Sequence, residues 1–215
     1  GVIFAVLGLV FVALQWFKVG SAALRSVIAV VTGLVGLFLI YAQANAYMLL
    51  NQPAWNNIAT PISFFVTTFL LGVVAVGAAL VINCAVVQKR NPDCADKQHE
   101  LLRNAIRWLA IASVILLGIE LVVMPLYVAN LATGNAAAQA SVSLLAGKYN
   151  LALALRLILG FVGAGVLAVF LYKFASTGEQ KSLLGTVAIV AFALVLIAEL
   201  LGRYLFYATH VGMHF

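Results

Sequence analysis

The chain has 215 residues, of which 65% are hydrophobic and 8% charged, with a mean hydropathy of +1.14 and a net charge of +6. Soluble domains hold about 45–50% apolar and about 25% charged residues, so this composition excludes a soluble globular protein and indicates a chain that lives in a bilayer. The positive balance does not point to nucleic acid, because the basic residues cluster in breaks between apolar runs, where membrane topology accounts for them.

Six apolar runs follow one another along the chain, at about 1–17, 26–48, 61–87, 106–127, 150–171 and 183–206. A bilayer-spanning helix needs about 20 apolar residues. The expected fold class is therefore all-α, a polytopic transmembrane bundle of six unbroken spans forming one integral membrane domain over 1–215. The first run, "GVIFAVLGLVFVALQW", is short for a span, and the chain is expected to begin inside a helix. The 128–149 connection, rich in Ala, Ser and Asn, suits a short helix along the interface. Gly72, Ala75, Gly160, Gly163 and Gly165 suit close helix packing. Cys84 and Cys94 have no metal-ligand spacing, and no metal site is expected.

Charge fixes the expected orientation. Lys18 and Arg25 lie in the first loop; Lys89, Arg90, Lys97, Arg103 and Arg107 lie in or beside the third; Lys173 and Lys181 lie in the fifth. The other side has Lys148, while Arg156 and Arg203 are within spans. The positive-inside rule places the odd-numbered loops, 17–25, 88–105 and 172–182, in the cytoplasm, and both chain ends outside.

This orientation gathers the polar residues of the spans at one depth. Gln43, Asn45 and Tyr47 end the second span outside. Glu120 falls in the outer half of the fourth, Arg156 near the outer end of the fifth, and Glu199, Arg203, Tyr207 and His210 climb the last. A charge at mid-membrane costs about 2.5–3.5 kcal/mol on insertion scales, so buried ionisable residues mark ligand, proton or ion pathways by default. Each also has a plainer role: snorkelling for Arg156, pairing with Arg156 for Glu120, a structural ion pair for Glu199 and Arg203, and an aromatic belt for Tyr47, Trp55 and Tyr207. Glu199 and Arg203, four residues apart, share a helix face and are expected to pair, facing the bundle interior beside Arg156 or Glu120.

Haem b requires histidine ligands within spans. His99, His210 and His214 lie in loops or at the chain end, which argues against haem. A quinone fits better, since its two oxygens want donors such as Arg, Tyr or His and a carboxylate to take protons. In the uncharged loop 51–61, Pro53 and Pro61 limit freedom and Trp55 offers an aromatic anchor. Trp55, with Tyr47, is therefore a candidate for docking a partner.

Several stretches carry a resemblance: "AELLGRYLFY" at 198–207, "PAW" and "TPISFF" at 53–55 and 60–65, "ALRLILG" at 154–160, and more weakly "SAALRS" at 21–26 and "NAY" at 45–47. In this order and spacing the chain resembles the membrane-anchor subunit of anaerobic dimethyl sulfoxide reductase. The resemblance implies eight helices in a full family member, so six here suggest that the first two are absent, together with the family's His and Glu quinol residues. It implies a bacterial cytoplasmic membrane, a ferredoxin-like iron–sulfur subunit and a molybdopterin catalytic subunit as partners, and menaquinol as electron donor. It also implies no haem in this subunit, with iron–sulfur clusters and molybdopterin only in the partners. Glu120, Arg156, Glu199, Arg203 and Tyr207 are the candidates for quinol binding or proton relay, with no catalytic residue assigned. The alternatives are a transporter with an intramembrane charged site, which predicts broken helices and a midplane site, and a purely structural anchor. The terminal electron acceptor is not legible in the sequence.

Overall fold

The computed structural model describes residues 1–90, 95–166, 168–169 and 181–212. Within these it describes the side chains except at 84–85, 88–90, 95–103, 166 and 181–185. Most of the predicted loops 88–105 and 172–182 falls outside these limits. So do Cys94, Lys173 and His214, and the side chains of Cys84, Lys97, His99 and Lys181.

The described residues are all α apart from turns and one π-helical stretch. The helices are α1 (Val2–Trp16), α2 (Ala22–Tyr47), α3 (Ala59–Arg90), α4 (Ala95–Ala132), α5 (Ala136–Ala146), α6 (Asn150–Gly160) and α7 (Lys181–Ala208), with a π turn at Phe161–Val166 continuing α6. Among them α2, α3, α4 and α7 are long and apolar enough to cross a membrane, and a fifth span results if α5 and α6 count as one. The predicted six is thus not reproduced. At 15 residues α1 is short of a span. The fifth run begins with α6, bent 70° from α5, and its far end lies outside the described residues. The spans are not all unbroken either: besides the π turn, Pro125 sits inside α4, where it removes one backbone donor and crowds the preceding turn. The short helix expected in the 128–149 connection is α5, and Asn135 caps it by accepting from the Ala138 N–H at 3.0 Å.

The chain divides into two compact units, Gly1–Leu49 and Leu50–Phe215. In the first, α1 packs on α2, and Phe4 lies where a Cβ at Gly36 would stand 2.9 Å from its ring. The turn between these helices uses positive φ at Lys18 (53°) and Gly20 (79°), and the Ser21 hydroxyl caps α2 by accepting from the Leu24 N–H.

In the second unit α3 packs against α4 and α7, and α6 with its π turn packs against α7 and α4. The core is Leu70 and Val74 of α3, Ile106, Ala110 and Leu117 of α4, Ala164 of the π turn, and Ala188, Ala191 and Val195 of α7. Small residues dominate where α6 meets α7. Gly163 faces Val195, Gly160 faces Ala198, and Arg156 faces Gly202. As the numbers rise on one helix they fall on the other, so the two run antiparallel along a narrow seam with a small residue in every pair. A Cβ on Gly163 would stand 2.9 Å from the Val195 side chain and 3.0 Å from its backbone nitrogen. This is the close approach expected for that glycine. By contrast Gly72 has nothing within 4 Å of its Cβ position among the described residues.

Candidate functional site

Four charged residues from three helices meet at the end of the second unit where α3 begins and α7 ends. Glu120 comes from α4, Arg156 from α6, and Glu199 and Arg203 from α7; all four line one cavity. The cavity is open to the surface, and with its mouth counted it takes in about 800 Å³. Its remaining wall is mainly apolar, with Ile62, Val66, Val123, Met124, Leu205 and Phe206, and Tyr127 adds a phenol.

Each charge has a distinct partner. Arg156 Nη2 donates to Glu120 Oε1 in a salt bridge that leaves the two side chains 13% and 15% exposed. The guanidinium reaches Glu120 by lying flat on α7 at Gly202, where a Cβ would stand 2.6 Å from Nε and 2.8 Å from Cζ. The Arg156 Nε–H is buried and has no hydrogen-bond partner among the described residues, which leaves a strong donor unspent. Glu199 is 4% exposed, the one buried charged residue among the described side chains. Its Oε2 accepts a 2.7 Å hydrogen bond from Thr67 Oγ1, and its charged neighbours are Glu120 and Arg156. The Arg203 guanidinium carbon lies 3.6 Å from the centre of the Phe64 ring, a cation–π contact.

Among the ion pairs of the described residues, the expected Glu199–Arg203 pair does not occur. Spacing of four residues brings two Cβ atoms together, but here α3 reaches both side chains, offering a hydroxyl to Glu199 and a ring to Arg203. Both side chains line the cavity together with Glu120 and Arg156.

Tyr207 does not line the cavity. It is 44% exposed, with its ring edge-on to Trp55 and Phe206, and its neighbour Phe206 takes the wall position instead. Trp55 is committed within its own unit. Its Nε1–H donates to the Phe206 carbonyl at 2.9 Å, and its indole stacks on Phe206 and on His210, the latter at 4.4 Å. The same loop is held by Tyr127 Oη donating to the Ala54 carbonyl at 3.0 Å, and by Asn57 Nδ2 donating to Asn130 Oδ1 at 2.8 Å. Tyr47 ends α2 in the other unit, half-buried.

The sequence reading missed the hydroxyl stripe of α3. Thr60, Ser63 and Thr67 all line the cavity, and their spacing of three and four residues on one helix face was the available signal. Thr60 is also a strut, its hydroxyl donating to the Trp55 carbonyl at 2.7 Å. Gly202, Tyr127 and Phe64 were missed as well.

An apolar helical bundle with four or five candidate spans defines a multi-pass membrane protein. Comparison with protein families makes this specific. The chain belongs to the DMSO reductase anchor subunit (DmsC) family, whose family model matches residues 1–209. It is thus a membrane anchor of the DMSO reductase type, associated with reductase catalytic subunits. No curated protein and no solved structure matches the chain.

Proposed function

We propose that this anchor subunit binds menaquinol in the charged cavity and passes its electrons to an iron–sulfur subunit. The observation that carries the proposal is the convergence of Glu120, Arg156, Glu199 and Arg203 on one cavity with a mainly apolar wall. The side chains suit a quinol. Apolar and aromatic groups accept the ring and tail, the Arg156 and Arg203 guanidinium groups at the cavity wall offer hydrogen bonds to its oxygens, and Glu199 or Glu120 can take a proton. Oxidation releases two protons and two electrons. The protons pass to the carboxylates and on to water, and the electrons pass to an iron–sulfur cluster of the docked subunit, which serves the molybdopterin subunit. The redox chemistry belongs to the quinone and the clusters, and this chain supplies position and electrostatics. No haem is needed in this subunit.

The excess of basic residues in the odd-numbered loops supports a cavity near the outer face of a bacterial cytoplasmic membrane, with the C-terminus outside. Tyr47 and the 51–61 loop are each proposed as contacts for the iron–sulfur subunit. Trp55 serves that loop from beneath, by fixing it to Phe206. The bend between α5 and α6 is a feature that transporters also use, so the test must separate the two. Membranes holding the assembled complex are titrated with a fluorescent hydroxyquinoline N-oxide analogue of menaquinol. Saturable quenching that Glu199→Gln weakens supports the quinol site. No saturable quenching in the unaltered complex refutes it.

A further inference from the structure

The seam between α6 and α7 contains a notch. At the other two steps of this seam the small residue meets an aliphatic side chain, Gly163 on Val195 and Gly160 on Ala198. At the third step Gly202 meets a charged group, and the overlap is severe: an added methyl would stand 2.6, 2.8 and 3.0 Å from Nε, Cζ and Nη2 of Arg156. Three atoms of one planar guanidinium thus lie against a single Cα. This plane delivers Nη2 to Glu120 and holds the fork at the cavity wall.

We propose that Gly202 is a positioning residue of the site: its bare Cα sets the plane and reach of the Arg156 guanidinium, and through it the donor geometry offered to the ligand. The proposal rests on the quinol reading for the identity of that ligand, but not for the contact itself. The clash falls on the far end of a flexible side chain rather than on backbone. A methyl at 202 therefore moves the guanidinium and leaves the helices in place. An arginine displaced within a bidentate-capable site loses the planar alignment that distinguishes it from a point charge.

The contact makes a prediction of sign. Alanine favours a helix over glycine. Where Arg156 is absent, Gly202→Ala should therefore raise the heat stability of the solubilised complex or leave it unchanged. Where Arg156 is present, the same substitution should lower it.

The experiment is a double-mutant cycle in the assembled membrane complex. Gly202→Ala is made in the natural background and in one where the ion pair is removed from both sides, Arg156→Leu with Glu120→Gln. Heat stability and quenching of the hydroxyquinoline N-oxide probe are read in all four. Gly202→Ala alone should weaken probe binding about tenfold, the loss of one well-placed hydrogen bond from a charged donor. In the second background it should change probe binding no further. Equal effects of Gly202→Ala in both backgrounds would overturn the proposal, because the glycine would then serve helix packing alone. Unchanged probe affinity in the natural background would overturn it too. If Gly202→Ala blocks assembly only where Arg156 is present, the coupling is established by assembly itself; if it blocks assembly in both, the proposal falls. Coupling in stability without probe binding to the unaltered complex would uphold the contact and refute the quinol reading instead.

Discussion

Thr67→Val isolates the hydrogen bond on Glu199. The Thr67 hydroxyl donates to Oε2 at 2.7 Å, and Glu199 is 4% exposed. Valine matches threonine in shape, so no cavity opens and the loss is that of the bond. A hydrogen bond to a charged group contributes about 1.5–3 kcal/mol. For a chain of this length 1 kcal/mol corresponds to roughly 2–4 °C in a reversible melt, so the apparent midpoint of the solubilised complex should fall by several degrees. Thr68 supplies the control. Its hydroxyl donates to the Phe64 carbonyl at 2.8 Å, within its own helix, and Thr68→Val should shift the midpoint far less. Thr67→Ser keeps the donor and should stay near the natural value. The assay is heat-induced loss of the assembled complex, followed at one fixed heating rate because membrane complexes unfold irreversibly. If Thr67→Val and Thr68→Val melt alike, or Thr67→Ser falls as far as Thr67→Val, the hydroxyl does not hold Glu199.

Arg203→Lys keeps the charge but loses the flat face over Phe64 and the planar fork, so it should assemble normally and bind the quinol analogue severalfold more weakly; unchanged affinity and turnover would move the assignment to Arg156. Gly163→Ala places a methyl 2.9 Å from the Val195 side chain, an overpacking that costs about 1–3 kcal/mol and should reduce assembled complex in quantitative blots. Trp55→Phe retains an aromatic ring but removes the bond to the Phe206 carbonyl, and should destabilise by about 0.5–1.5 kcal/mol, read as faster proteolysis within the 51–61 loop. Membrane-impermeant thiol labelling from outside should modify Asn135→Cys and spare Lys97→Cys; the reverse would invert the proposed orientation.

The charged half of the site was legible in the sequence because charge is costly in hydrocarbon. Glu120, Arg156, Glu199 and Arg203 stood out against apolar runs, and they meet at one cavity. The partners of those charges were not legible. Serine and threonine satisfy themselves on the carbonyl one turn back, as Thr68 and Ser113 do, so a hydroxyl that instead turns to a carboxylate, as in Thr67, leaves no mark in composition. The exchange of Tyr207 for Phe206 has a simple source: adjacent helical residues differ by about 100°, and a one-residue error moves a ring from wall to surface. Gly202 was invisible for a different reason. A glycine in a membrane helix reads as generic packing until the residue above it is known.

The α6–α7 seam has one more consequence, for how the two helices find their alignment. Apolar helices with small residues at every third or fourth position slide easily, since each shift of one turn meets another small residue. Arg156 breaks that degeneracy. Shifted by one turn of α7, its guanidinium would face Ala198, whose methyl fills the space, or Phe206. In either case Glu120 would lose its partner; breaking a fully buried pair costs about 3–5 kcal/mol, and this partly exposed one costs less. A buried asparagine plays this part in coiled coils, giving up stability to exclude wrong registers. In this chain one arginine and one glycine act as key and slot for the alignment of two otherwise featureless helices.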